Sequence, residues 1–87
     1  MSKLPTLIVK YRRGGVDACR MEAYLDGALQ TLKGRVEVRL LPAREDGAML
    51  VFPTEASRNP REEDAILHLA ENVLVWARKV CRGAYDA

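Results

Sequence analysis

The residues best suited to chemistry form a basic, glycine-rich group near the N-terminus. Arg12, Arg13, Gly14 and Gly15 follow an apolar run and precede a helical pattern. Free backbone N–H groups at a strand-to-helix turn, together with nearby guanidinium groups, can bind an anion. The spacing is not that of a phosphate-binding loop, because neither G-x-x-x-x-G-K-[ST] nor G-x-G-x-x-G is present. Two interpretations stay open, an anion site and a basic turn in water.

Cysteine and histidine chemistry has little support. Cys19 falls in the first turn of the helix that Asp17 caps, where the helix dipole favours a thiolate. A redox or nucleophilic role needs a second cysteine or a base nearby, and Val16 takes the place of the other cysteine of a C-x-x-C motif. His68 is the only histidine, and a single histidine is a very weak indication of a metal site. We therefore expect no catalytic residue, no metal site and no cofactor.

Composition describes one small globular domain. Of its 87 residues, 48% are hydrophobic and 30% are charged, which argues against disorder. No apolar run reaches the roughly 20 residues of a membrane span, and no signal-peptide core follows the N-terminus. We expect a cytoplasmic protein with free thiols. The net charge is +2, with the basic residues concentrated before position 45 and a net acidic remainder.

Hydrophobic periodicity predicts the order strand, helix, strand, strand, helix. The predicted strands are 6–11, 35–40 and 48–52, and the predicted helices are 17–33 and 59–82. Strands one and two should be parallel, while strands two and three should form a hairpin around Asp46 and Gly47, with Pro42 ending strand two. The expected fold is a two-layer α/β sandwich of the α+β type, with a mixed three-stranded sheet and two helices on one face. The side chains expected in the core are Leu7, Val9, Leu25, Leu29, Leu32, Val36, Val38, Leu40, Ile66, Val73 and Ala77.

The second helix is the most clearly marked element. Asn59 is a good N-cap, acidic residues fill the first turn, and basic residues crowd the last turns. Its apolar residues cover about half of the helix circumference, more than the roughly 100° that packing on one neighbour requires. Either Leu69 and Trp76 on one border, or Leu67 and Leu74 on the other, should remain for a second surface.

This order of elements resembles the DinI family of SOS-response modulators. The likeness lies in a Val36-Glu37-Val38-Arg39 strand, a short hairpin and a long closing helix after a charged cap. It implies a small non-enzymatic protein that binds a recombinase filament. The closing helix of that family is strongly acidic near its end, whereas Arg78, Lys79 and Arg82 stand here. No functional residue of the family is therefore transferred to this chain.

Two functional hypotheses follow from the residues. The first is a non-catalytic protein-binding module, a self-associating regulator or inhibitor from a phage or other mobile element, which binds through the second helix around Trp76. The alternative is a nucleic-acid-binding module that uses the basic N-terminal half. The basic residues that would contact the nucleic acid are Lys10, Arg12, Arg13, Arg35 and Arg39. Aromatic residues make up only 6% of the chain, which counts against base stacking. A thiol enzyme at Cys19 is the least favoured.

Overall fold

The computed structural model describes residues 4–14, 17–53 and 58–81. The elements in chain order are β1 (Thr6–Arg12), α1 (Ala18–Ala28), a 3₁₀ turn (Gln30–Leu32), β2 (Glu37–Ala43), β3 (Gly47–Val51) and α2 (Pro60–Cys81). The predicted β-α-β-β-α order and the mixed three-stranded sheet are confirmed. Both helices contribute to one core against one face of the sheet, so the architecture is the predicted two-layer sandwich.

The strand order corrects the predicted hairpin. β1 is the central strand, with β2 parallel to it on one side and β3 antiparallel to it on the other. Residues 44–46 carry the chain across the end of β1, where Asp46 accepts a hydrogen bond from the Arg12 backbone N–H at 2.7 Å. A hairpin would have left one edge of β1 without a partner. The crossing satisfies the backbone of this strand on both sides, and the inward side chains of β1 are fully buried.

Strand β2 also continues through Pro42, where the prediction ended it. The Glu37 backbone N–H donates to the Pro5 carbonyl at 2.9 Å, so alternate residues from Glu37 onward direct their N–H groups to β1. By this alternation, the nitrogen of Pro42 faces the free edge of the sheet. A missing N–H costs no hydrogen bond of the sheet there.

The core lies between the sheet and the two helices. Leu7, Val9 and Tyr11 alternate along β1 and are all fully buried. Of the predicted core, the residues that the structure buries are Leu7, Val9, Leu25, Leu29, Leu32, Val36, Ile66 and Ala77. The remaining predicted members, Val38, Leu40 and Val73, are half-buried and pack against these. Cys81, on the apolar half of the helical wheel of α2, is also buried.

Both helices begin with the predicted side-chain caps. Asp17 Oδ1 accepts hydrogen bonds from the backbone N–H groups of Cys19 and Arg20 at 3.1 and 3.3 Å. Asn59 Oδ1 accepts two equivalent bonds at the start of α2, at 3.1 and 3.4 Å. These bonds satisfy N–H groups that have no partner inside the helix. The placing of Val16 before the Asp17 cap and of Met21 four residues into the helix predicts a hydrophobic staple, but Val16 lies outside the described residues.

Helix α1 ends at Ala28, five residues before the predicted end. The chain tightens into the 3₁₀ turn, in which the Leu32 N–H donates to the Leu29 carbonyl at 3.0 Å. This turn keeps Leu32 buried while the chain changes direction toward β2. The spacing of the apolar residues does not distinguish an α-helix from a 3₁₀ helix, because both helix types bring residues three apart onto one side. The predicted end of the second helix at 82 lies outside the described residues.

Candidate functional site

Helix α2 buries one face in the core and leaves a second apolar row exposed. Leu69, Val73, Trp76 and Val80 follow one another at intervals of four, three and four residues, the spacing of paired helices. Leu69 is 39% exposed, Trp76 58% and Val80 46%, and Val73 is half-buried. At 1.5 Å per residue this row is about 16 Å long. We refer to these four residues as the α2 stripe.

The structure decides which border of α2 is used internally. Leu74 is 3% exposed, and Leu67 is half-buried against the core. Arg78 lies close to this border on the helical wheel and bonds to Asp46 just before β3, so the border faces β3. Trp76 precedes Arg78 by two residues and therefore points about 160° away from it. The exposed border is the one that contains Trp76.

Lys79 partly covers the exposed tryptophan. Its ammonium nitrogen lies 5.1 Å from the centroid of the Trp76 ring, a cation–π contact. The ring nevertheless keeps more than half of its surface in solvent. Burying a tryptophan ring removes a large apolar area from water, and tryptophan is among the residues that most often dominate binding energies. Trp76 is therefore the side chain of the α2 stripe with the most to gain from a partner.

A polar cluster holds α2 against the end of the sheet. Arg78 donates to both Asp46 carboxylate oxygens, at 2.6 Å from Nε and 2.5 Å from Nη2, and Nη2 also donates to the Arg12 carbonyl at 2.9 Å. Burial opposes ionisation of Asp46, but the hydrogen bonds from Arg78 and from the Arg12 N–H outweigh it and lower the pKa of Asp46. This cluster joins α2 to β1 on the border of the helix opposite Trp76.

Arg58 makes a second connection at the other end of α2. Its guanidinium group bonds to Glu63 at 2.8 Å and lies 4.5 Å from the centroid of the Phe52 ring, which follows β3. The hydrogen bond to Glu63 raises the pKa of Arg58. The contacts link the first turn of α2 to the end of the sheet. Helix α2 is thus attached to the sheet at both ends.

The predicted anion site adjoins the polar cluster. The side chains of Arg12 and Arg13 are exposed, as is Gly14, and Gly15 lies outside the described residues. The Arg12 backbone N–H already donates to Asp46. A carboxylate of the chain itself therefore takes one of the donors that an external anion would have used. Binding of an anion at this turn stays a prediction.

The other predicted chemical groups lie apart from one another. Cys19 is exposed at the start of α1, and His68 is exposed on α2. Among the residues that the structure describes, no three His, Cys, Asp or Glu side chains could together hold a metal ion.

Sequence reasoning missed a hydrogen bond from the Tyr11 hydroxyl to Glu22. The pKa of Tyr11 is raised, mainly by burial and in second place by this hydrogen bond. Tyr11 is buried because it lies on the same side of β1 as Leu7 and Val9, but no local signal identified its partner on α1.

The face of the sheet opposite the helices carries a second exposed apolar group. Leu41 is 46% exposed, Met49 42% and Val51 46%, and Ile8 lies half-buried among them. Basic residues of the alternative hypothesis share this side. Alternation directs a set of residues away from the core, and we refer to them as the outer sheet face: Thr6, Ile8, Lys10, Arg12, Glu37, Arg39, Leu41, Ala43, Gly47, Met49 and Val51. Sequence reasoning missed its apolar part, although β3 is apolar at both alternating positions and so signals two apolar faces.

Comparison of the chain with protein-family models, curated proteins and solved structures finds no match. The resemblance to the DinI family stays an expectation from sequence. Neither helix, within the ranges described, combines the length and the apolarity that crossing a membrane would require. The α2 stripe and the outer sheet face are the features from which a function can be inferred.

Proposed function

We propose that this chain is a small non-catalytic protein-binding module, a regulator or inhibitor, and that it pairs with a second copy of itself through the α2 stripe. The observation that carries the proposal is Trp76, 58% exposed within a continuous apolar row on a long helix. Isolated exposed apolar residues are common on protein surfaces, but a row at the spacing of paired helices is not explained by chance exposure. The proposal includes a cytoplasmic location, in keeping with Cys19 and Cys81 as free thiols.

The charge distribution of α2 favours an antiparallel pair. Its first turn carries Glu62 and Glu63, and its last turn carries Arg78 and Lys79. A parallel pair would bring like charges together, whereas an antiparallel pair sets the acidic end of each helix beside the basic end of the other and opposes their dipoles. With Leu69 of each copy level with Trp76 of the other, Lys79 would lie one helical turn from Glu62 of the partner subunit.

The small size of the stripe limits the strength of the pair. Four side chains from each copy bury less surface than a standard stable interface, so we expect a dissociation constant on the order of 10 μM. Trp76 should contribute the largest part of the binding free energy of this pair. Removing such a central aromatic side chain costs about 2 kcal/mol or more, which corresponds to a roughly thirtyfold weaker pair.

Sedimentation equilibrium over a wide concentration range tests this proposal. The chain should form a dimer, and Trp76→Ala should weaken it about thirtyfold. Val75→Ala is the matched control, because Val75 is equally apolar and 54% exposed on the same helix but lies outside the stripe. It should leave the dimer unchanged. A chain that stays monomeric at about 1 mM, or a Val75→Ala variant that is weakened as much, would show that the stripe does not mediate self-association.

A further inference from the structure

The outer sheet face combines an apolar centre with positive charge. The strand register places Arg39, Ile8 and Met49 side by side across the three strands. In the next position along the sheet, Leu41 lies beside Lys10. Given the ordinary strand spacing and rise, Arg39 and Lys10 are about 8 Å apart at their Cα atoms. The face thus presents aliphatic and thioether side chains beside two cations, Arg39 and Lys10.

The charge on this face is available to a ligand. Lys10, Arg12 and Arg39 form no ion pair with any carboxylate among the described residues, and Glu37 is the single acidic residue of the outer sheet face. Between residues that the structure describes, the basic residues that form ion pairs are Lys33, Arg58 and Arg78, none of which belongs to the outer sheet face. Lysine and arginine side chains are long, so a partner with carboxylates about 6 to 7 Å apart could reach both cations. Acidic residues two apart on a strand have this spacing, and those one turn apart on a helix come close to it.

An acidic protein segment fits this face better than a nucleic acid does. Binding of single strands on an open sheet depends on aromatic side chains that stack on the bases. Tyr11, the one aromatic residue of the three strands, points into the core and is fully buried. The exposed centre is aliphatic, with Leu41, Met49 and Val51 each more than 40% exposed. Such a centre contributes to binding when it meets apolar side chains, which a phosphate backbone lacks.

We infer that the outer sheet face is a second docking surface, which binds an acidic amphipathic segment of another protein. Apolar residues of the segment cover Ile8, Met49 and Leu41, and its carboxylates pair with Arg39 and Lys10. This surface and the α2 stripe belong to opposite layers of the sandwich, so one does not obstruct the other. A dimer formed through α2 would carry two such faces. The inference goes beyond the proposed self-association and does not depend on it.

Fluorescence anisotropy with three labelled probes tests the inference. The probes are an amphipathic helical peptide with a leucine face and a glutamate face, the same peptide with lysine in place of glutamate, and a single-stranded DNA oligonucleotide. The glutamate peptide should bind, and the lysine peptide should not. Arg39→Glu and Met49→Ser should each weaken binding of the glutamate peptide about tenfold, since one removes a charge partner and the other an apolar contact.

Two further variants separate this surface from the rest of the molecule. Arg61→Glu makes the same charge change as Arg39→Glu at an exposed position on α2 and should leave binding unchanged. Trp76→Ala should weaken the dimer about thirtyfold and keep the affinity of each chain for the peptide. Absence of binding by the glutamate peptide at low salt, or an equal loss in Arg61→Glu, would overturn the inference. Stronger binding of DNA that Arg39→Glu weakens and Met49→Ser leaves intact would assign the face to nucleic acid and overturn it as well.

Discussion

Asp46 takes the place of a strand residue at the end of β1. Strand β3 begins at Gly47, opposite Lys10, so no residue of β3 lies opposite Arg12. The Asp46 side chain instead accepts the Arg12 N–H, and Arg78 donates to the Arg12 carbonyl. One carboxylate and one guanidinium group therefore complete the hydrogen bonding of a strand end. They also attach α2 to it.

Replacing Asp46 by asparagine should lower the free energy of unfolding at pH 7 by about 1 kcal/mol, since hydrogen bonds to a charged group are lost at a site that solvent partly screens. The pKa of Asp46 is lowered in the folded chain. Its contribution is therefore fully present above the carboxyl pKa of the unfolded chain and is lost as the pH falls through the lower folded value. Urea unfolding at pH 7 and at about pH 2 should show the difference between Asp46→Asn and the unmodified chain shrink in acid.

The neighbouring residue Glu45 provides the control for this measurement. Glu45 is exposed, and Glu45→Gln should change stability by less than about 0.5 kcal/mol. A difference between Asp46→Asn and the unmodified chain that is the same at both pH values would show that the ionised carboxylate is not what stabilises the strand end.

At the scale of elements, β2 shows how position in the sheet changes the meaning of a proline. In a central strand, Pro42 would remove a hydrogen bond of the sheet. In β2 the nitrogen faces the open edge, so the strand tolerates it through Ala43. The same proline withholds a donor from any strand that might add to this edge, a common protection against edge-to-edge association.

Pro42→Val should therefore promote association through the free edge of β2. The substitution restores an outward N–H and introduces a residue with high strand propensity, while the exposed position tolerates the new side chain. Light scattering at increasing protein concentration should reveal larger assemblies than the dimer. Pro42→Lys is the matched control, because it restores the same N–H but adds a charge that disfavours edge pairing. Equal assembly of both variants would mean that the missing N–H alone protects the edge, and no assembly in either would mean that Pro42 has no protective role.

At the scale of the whole molecule, the chain is too small to cover all of its apolar surface. A domain of this size removes only about 60% of its unfolded surface from water. The described helices and strands share one hydrophobic core. Apolar side chains nevertheless remain exposed in both layers: on α2 in the helix layer and on the outer sheet face in the sheet layer. Association through either surface would add to a modest stability.

Self-association should make the thermal unfolding midpoint depend on protein concentration. A dimer that dissociates on unfolding is stabilised by mass action, so a hundredfold increase in concentration should raise the midpoint by several degrees. Calorimetry or circular dichroism at a series of concentrations provides the measurement. In Trp76→Ala this slope should be strongly reduced. An unchanged slope in that variant would indicate that any concentration dependence has another origin.

The sequence by itself determined the number, type and order of the elements, and much of the core. These properties follow from local periodicity and caps, such as the alternation of Leu7, Val9 and Tyr11 or the capping by Asp17 and Asn59, and neighbouring residues alone produce them. The excess apolar width of the second helix was visible for the same reason. The sequence also contained the apolar outer positions of β3, which sequence reasoning did not use.

Only the tertiary structure decided the strand order, the passage of β2 through Pro42 and the border of α2 that stays exposed. Alternation is identical for a hairpin and for a strand that crosses to the far edge of β1, and either order leaves two edge strands. The observed order places β1, with its fully buried inward side chains, in the centre and leaves the nitrogen of Pro42 at a free edge, where no N–H is needed. The contact of Arg78 with Asp46, 32 residues apart, accompanies the orientation in which Leu74 is buried in the core and Trp76 is exposed. Such contacts join residues that are distant in the chain, and local patterns carry no record of them.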